Sequence, residues 1–176
     1  MKRLFLKKGR EKAVLRRHPW IFSGAVRDLE GDPQMGEAVD IFDNNGQFLA
    51  RGAYSPTSQI RARIWTWDES EKVDQGFFHR RIREAIKLRE DWVQSPDTSA
   101  FRLIHAESDG LPGLVVDKYN QTLILQILSA GMERWRDPIV ALLSETLQPE
   151  CIFERSDVAV RGLEGLQERI GVCYGS

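Results

Sequence analysis

The chain has 176 residues with 41% hydrophobic and 29% charged side chains, a balance that excludes a disordered polyelectrolyte and suits one ordinary domain or two small ones. The formal net charge of -1, from 25 Lys and Arg against 26 Asp and Glu, conceals a basic beginning and an acidic remainder. No apolar run approaches the roughly 20 residues that span a bilayer, and the cysteines Cys151 and Cys173 are too few for a disulfide framework or a four-ligand zinc site, so a reducing cytoplasm is the simplest home.

In chain order, residues 2–7 alternate around Leu4 and Leu6 and predict a strand. Residues 8–17 predict a helix, with Ala13, Val14 and Leu15 inward and Lys8, Arg10, Lys12, Arg16 and Arg17 outward. His18-Pro19 ends it, because the residue before proline is driven from helical geometry. Trp20-Ile-Phe22 is strand-like. Only Glu11 opposes the basic residues before Asp28, and screening acts over about 8 Å, so a polyanion meeting this stretch feels the local charge rather than the total. A solvated basic helix is the plain alternative.

A hairpin follows. Residues 37–42 and 47–54 flank Asp43-Asn-Asn-Gly46, whose Asn-Gly pair tolerates positive φ. Arg51 lies on its return strand. Residues 59–67 alternate, with Ile60, Ala62, Ile64 and Thr66 on one face and Arg61, Arg63, Trp65 and Trp67 on the other. Several short strands and one helix predict a small barrel-like β domain. Residues 68–74 read as a linker and 77–93 as an amphipathic helix, broken by the boundary-like segment 94–99 around Pro96. The rest predicts an α+β unit. A strand spans 101–106, and a hairpin joins 114–117 to 122–128. A helix over 132–147 could begin at Pro138, and a strand starts at Cys151; from Arg161 the pattern loosens.

Candidate chemistry is sparse. Gly110-Leu-Pro-Gly113, Gly162-Leu-Glu-Gly165 and Gly171-Val-Cys-Tyr-Gly175 lack the G-x-G spacing of a dinucleotide turn and read as structural. Cys151 reads as a small core residue, and Cys173 has no evident base beside it. His18, His79 and His105 are dispersed, so no metal site is expected. His105, Glu107 and Asp109 read as the polar end of a loop. The pattern suits RNA better. Guanidinium groups grip phosphate, and guanidinium planes and indoles stack on unpaired bases. The candidate RNA-binding residues are Lys8, Arg10, Lys12, Arg16, Arg17, Trp20, Arg51, Arg61 and Arg63. For Trp65 and Trp67, packing beneath a neighbouring helix, with the strand arginines snorkelling or paired with acids, is an equal alternative.

Several blocks carry a family resemblance. Lys8-Gly-Arg-Glu-Lys-Ala-Val-Leu-Arg-Arg-His-Pro-Trp-Ile-Phe-Ser-Gly-Ala-Val26, Leu49-Ala-Arg-Gly-Ala-Tyr-Ser-Pro56, Ser58-Gln-Ile-Arg-Ala-Arg63, Glu107-Ser-Asp-Gly-Leu-Pro-Gly113 and Arg155-Ser-Asp-Val-Ala-Val-Arg161 resemble the large-subunit ribosomal RNA methyltransferase I family, whose members methylate cytosine at C5. The resemblance implies an RNA-binding PUA barrel over residues 1–73 and a linker helix with a central α+β domain over 74–176. It further implies S-adenosylmethionine (SAM) as the intact enzyme's cofactor, large-subunit ribosomal RNA as partner, and a homodimer. The expected fold class is α+β, a PUA-like small β-barrel followed by a small α+β domain, with the family's Rossmann-like methyltransferase domain absent. No catalytic or cofactor residue is then expected at any position, and the chain alone is expected to be inactive and to bind no SAM. A stand-alone RNA-binding module is the competing expectation.

Overall fold

The computed structural model describes residues 2–93 and 98–176. The elements run β1 (Arg3–Leu6), α1 (Lys12–Leu15), β2 (Trp20–Phe22), β3 (Val26–Glu30), β4 (Ala38–Phe42), β5 (Phe48–Tyr54), β6 (Ile60–Thr66), α2 (Gln75–Trp92) and β7 (Ala100–His105). They continue with β8 (Leu114–Tyr119), β9 (Thr122–Ile127), α3 (Ala130–Arg134), α4 (Arg136–Leu147), β10 (Cys151–Ser156), α5 (Val160–Leu163) and β11 (Arg169–Gly175). Gln94 to Asp97, on which most of the expected helix break falls, lie outside the described residues.

The first sheet has six strands in the order β2-β6-β5-β4-β1-β3, with β1 and β4 parallel and the other pairs antiparallel. Its core is built from Leu4, Leu6, Val14, Ile21, Val39, Ile41 and Ile64. The β4–β5 hairpin turns where its sequence predicts. Gly46 takes φ +86°, and the Asp43 carboxylate accepts the amides of Asn45 and Gln47, both at 2.8 Å. Strand β3 was not foreseen; it pairs with β1 and carries few buried side chains, so it has little apolar signature.

Three local expectations are corrected. The helix over 8–17 shrinks to Lys12–Leu15: Gly9 at φ +82° and the Arg10 N–H to Lys7 carbonyl bond make a turn before it, and Arg17 at φ +64° ends it. The helix over 132–147 is two helices, α3 and α4, meeting at Trp135, with Pro138 in the first turn of α4 where its missing N–H costs nothing. The loose C-terminal stretch contains α5 and β11. Strand β6 is covered on both faces, since Ala62 to Thr66 are all buried, in line with the alternative in which Trp65 packs beneath a neighbouring helix. The second half of the chain covers its other side.

The second sheet has five strands in the order β11-β10-β9-β8-β7. Its helices bury Phe77, Phe78, Ile82 and Ile86 from α2 and Ile139, Leu142 and Leu143 from α4 against Leu103, Val116, Leu125 and Ile152. The Asp74 side chain caps α2 by accepting the Phe77 amide at 3.0 Å. Strands β9 and β10 run parallel, joined through α3 and α4, whereas the neighbouring pairs are antiparallel. This overturns the expected fold class, an α+β chain without a Rossmann-like part. A parallel pair needs a crossover, and a helical β-α-β crossover is the unit from which Rossmann-like sheets grow. Strand and helix periodicity cannot distinguish that connection from an antiparallel return.

Candidate nucleic-acid interface

The two halves meet at Trp65 and Arg63. Trp65 is buried edge-on against Phe78 of α2, with ring centroids 5.5 Å apart, and abuts Gly131 of α3. The indole therefore packs beneath the neighbouring helices and is withdrawn from any ligand. Arg63 Nη1 donates to Glu164 Oε1 at 2.7 Å, and both side chains are buried. Glu164 Oε2 accepts the Ser55 hydroxyl at 2.8 Å and the Ala130 amide at 3.1 Å. Burial by itself would push the Glu164 carboxyl up; Arg63, the Ser58 hydroxyl and the Ala130 amide outweigh it and hold the carboxyl below its usual range.

The other strand arginines are also engaged internally. Arg51 Nε pairs with Asp40 at 2.5 Å, and its guanidinium reaches the carbonyls of Glu69 and Glu71. Arg61 binds the carbonyls of Ser55 and Pro56. Arg51, Arg61 and Arg63 thus hold strand ends and loops in place.

The basic turn and α1 are different. Lys8, Arg10, Lys12, Arg16 and Arg17 are all exposed. Val14, 2% exposed, anchors the short helix in the core, and its carbonyl accepts Trp67 Nε1 at 3.0 Å. The Arg17 guanidinium lies 5.3 Å from the Trp67 ring centroid, which fixes one cation of the set. Trp20 is half-buried, and its Nε1 donates to Glu107 Oε1 at 2.8 Å across to the second half. Phe22, 51% exposed and edge-on to Trp20 at 6.4 Å, extends this aromatic surface. Sequence reasoning overlooked Phe22, although its spacing two residues beyond Trp20 on one strand places both on the same face.

The polar loop after β7 is structural. Asp109 takes a bidentate bond from Arg89, both contacts at 2.8 Å, and accepts the His105 amide at 2.6 Å. Gly113, at φ +87°, is a turn glycine whose missing side chain lets Ser129 approach. Cys173 sits beside Arg136 and Glu154. Burial pushes its thiol up, with the Glu154 carboxylate adding to the rise against the opposing Arg136 charge.

Comparison with known proteins gives this surface a context. Residues 4–67 match the PUA-like domain family. Ribosomal RNA large subunit methyltransferase I of Shigella boydii is 55% identical to the chain over 175 residues, covering 98% of the chain and 44% of that relative. The protein of the same name from Escherichia coli O157:H7 is 54% identical over the same coverage. The chain thus spans less than half the length of these homologues. Among solved structures, a protein described as a SAM-dependent methyltransferase from Streptococcus mutans superposes on 100% of the chain and 44% of its own, with a TM-score of 0.80 at 18% identity. A second protein, described as a methyltransferase and complexed with SAH, does so with a TM-score of 0.81 at 16% identity, over 43% of its own chain. The whole fold, the mixed sheet included, is therefore shared with parts of these two longer chains, which overturns the expected α+β class with the Rossmann-like domain absent.

Proposed function

From the homology of nearly the whole chain to ribosomal RNA large subunit methyltransferase I, we infer that this chain holds RNA for a SAM-dependent methyltransferase acting on large-subunit ribosomal RNA, with cytosine C5 as the methyl acceptor. The observation that carries the reading is the exposed cationic run Lys8, Arg10, Lys12, Arg16 and Arg17 on the part matched by the PUA-like domain. Guanidinium and ammonium groups gathered on one turn and one short helix suit successive phosphates, and a net charge near zero does not oppose them because distant acids are screened. A division of labour follows: residues 1–73 grip the RNA, and residues 74–176 set the orientation of that grip. Such a substrate is made and assembled in the bacterial cytoplasm, which is the compartment proposed.

Methyl transfer to C5 of cytosine calls for a thiolate that adds to C6; C5 then takes the methyl group from SAM, which would leave as S-adenosylhomocysteine, and loss of the C5 proton to a base breaks the C6–S bond and releases the thiolate. No such thiolate is assigned here. Cys173 is half-buried with its thiol raised, the opposite of an activated nucleophile, and Cys151 begins an internal strand. The chemistry is accordingly assigned to a protein of the relatives' full length, and this chain alone is proposed to be inactive.

The test is competition binding of the chain between a large-subunit ribosomal RNA fragment and an unrelated RNA of equal length. Preference for the ribosomal fragment is expected. Equal affinity for both, or none for either, would overturn the reading.

A further inference from the structure

A cavity of about 390 Å³ opens where the two halves of the chain meet. Thr57, Ile60 and Arg63 line it from the first half, and Val160, Leu163 and Glu164 from the second. That volume lies within the roughly 300–1,000 Å³ usual for small-molecule sites. Burial orders its walls. Arg63 is 8% exposed and Glu164 1%, so they form the floor; Leu163 is 70% exposed and Val160 38%, so they form the mouth. The floor holds unused donors. Arg63 gives one N–H to Glu164, and its remaining guanidinium N–H groups have no acceptor among the described residues. Nor are those nitrogens among the polar atoms sealed from solvent without a partner, so they open on the space that Arg63 lines. A buried guanidinium with open donors calls for an acceptor, because it presents five N–H groups and leaving them unpaired costs stability.

We propose that this cavity binds a small uncharged molecule with an apolar body and a terminal carbonyl oxygen. The carbonyl accepts from Arg63 at the floor, and the body lies against Ile60, Val160 and Leu163. Charge selects the uncharged form. Glu164 already neutralises Arg63 at 2.7 Å, so a carboxylate would sit beside a second carboxylate and an ammonium beside a guanidinium. Depth selects a small molecule over a peptide. The carbonyl has to lie at the tip of the occupant, ahead of the apolar body, whereas an apolar side chain carries its main-chain carbonyl behind it. Because the walls come from both halves, a bound molecule ties one half to the other at the joint that Arg63 and Glu164 make. The site is separate from the basic run and does not rest on the RNA reading.

The test titrates the whole chain with hexanamide, hexanoate and hexylammonium, which share one carbon chain, and follows the methyl NMR signals of Ile60, Val160 and Leu163. Hexanamide should shift all three saturably and bind at least about tenfold more tightly than hexylammonium, which offers no acceptor. Hexanoate should bind more weakly than hexanamide. Leu163→Ser, at an exposed mouth position outside the core, should weaken hexanamide binding at least about fivefold by removing apolar contact. Leu88→Ser, at an exposed position on α2, should leave it unchanged. No saturable shift with hexanamide, or full affinity retained in Leu163→Ser, would overturn the site. Equal binding of hexanamide and hexylammonium would overturn the role of the Arg63 donors. Tighter binding of hexanoate would overturn the uncharged class of ligand.

Discussion

Arg63 of β6 and Glu164 just after α5 form a buried ion pair at 2.7 Å between residues 101 positions apart in the chain. The pair joins the first sheet to the last third of the chain. Glu164 also takes Ser55 from the first half and Ala130 from α3, so one carboxylate ties three segments together.

Removing one partner of such a pair leaves the other charge buried without compensation. Glu164→Leu should lower the unfolding free energy by about 3–5 kcal/mol, read from urea denaturation. Adding Arg63→Met should recover more than half of that loss, since an apolar pair of similar volume carries no desolvation cost. A double variant as unstable as the single one would show that the pair is not the joint described here.

The same carboxylate makes a pH prediction. Its folded pKa lies below its ordinary value of 4.5, so its contribution to stability is fully present above about pH 4.5 and is lost as the pH falls through the lower folded value. The stability gap between wild type and Glu164→Gln should therefore be constant from pH 7 to pH 5 and narrow below pH 4.5. A gap that widens in acid would contradict this sign.

Gly131 of α3 tests the second joint. A Cβ there would lie 2.8 Å from Trp65 Cζ2 and would collide with Ala53 Cβ. Gly131→Ala should destabilise by about 1–3 kcal/mol through overpacking, even though alanine favours a helix over glycine by about 1 kcal/mol. Thermal unfolding of the variant checks the balance, and a raised midpoint would show that the two halves are not closely packed at this point.

Cys173 should behave as a sluggish thiol. In a Cys151→Ser background, the pH profile of its alkylation should have a midpoint above 9.0, because burial and Glu154 disfavour the thiolate. A midpoint below that value would return Cys173 to consideration as a nucleophile.

These residues show where sequence is informative. The β4–β5 hairpin was legible because alternation and the Asp43–Gly46 turn are local signals, and the exposed basic run was legible because its members are neighbours in the chain. Alternation along β6 gave the sides of Arg63 and Trp65 but not what covers them: Glu164, Phe78 and Gly131 come from distant segments. For the same reason the internal partners of Arg51, Arg61 and Arg63 were not legible in the sequence. The crossover between β9 and β10 was hidden because strand direction is a property of the sheet and not of either strand. The shortness of α1 could have been anticipated from Gly9 and the lack of a side-chain cap.

The most direct test of the RNA-holding surface is the salt dependence of binding to a single-stranded large-subunit ribosomal RNA fragment, for wild type and for Lys12→Ala with Arg16→Ala. If each cation meets one phosphate, the slope of log affinity against log salt should become shallower by about 1.4 in the double variant. An unchanged slope, with affinity intact, would contradict the account and move the RNA away from α1.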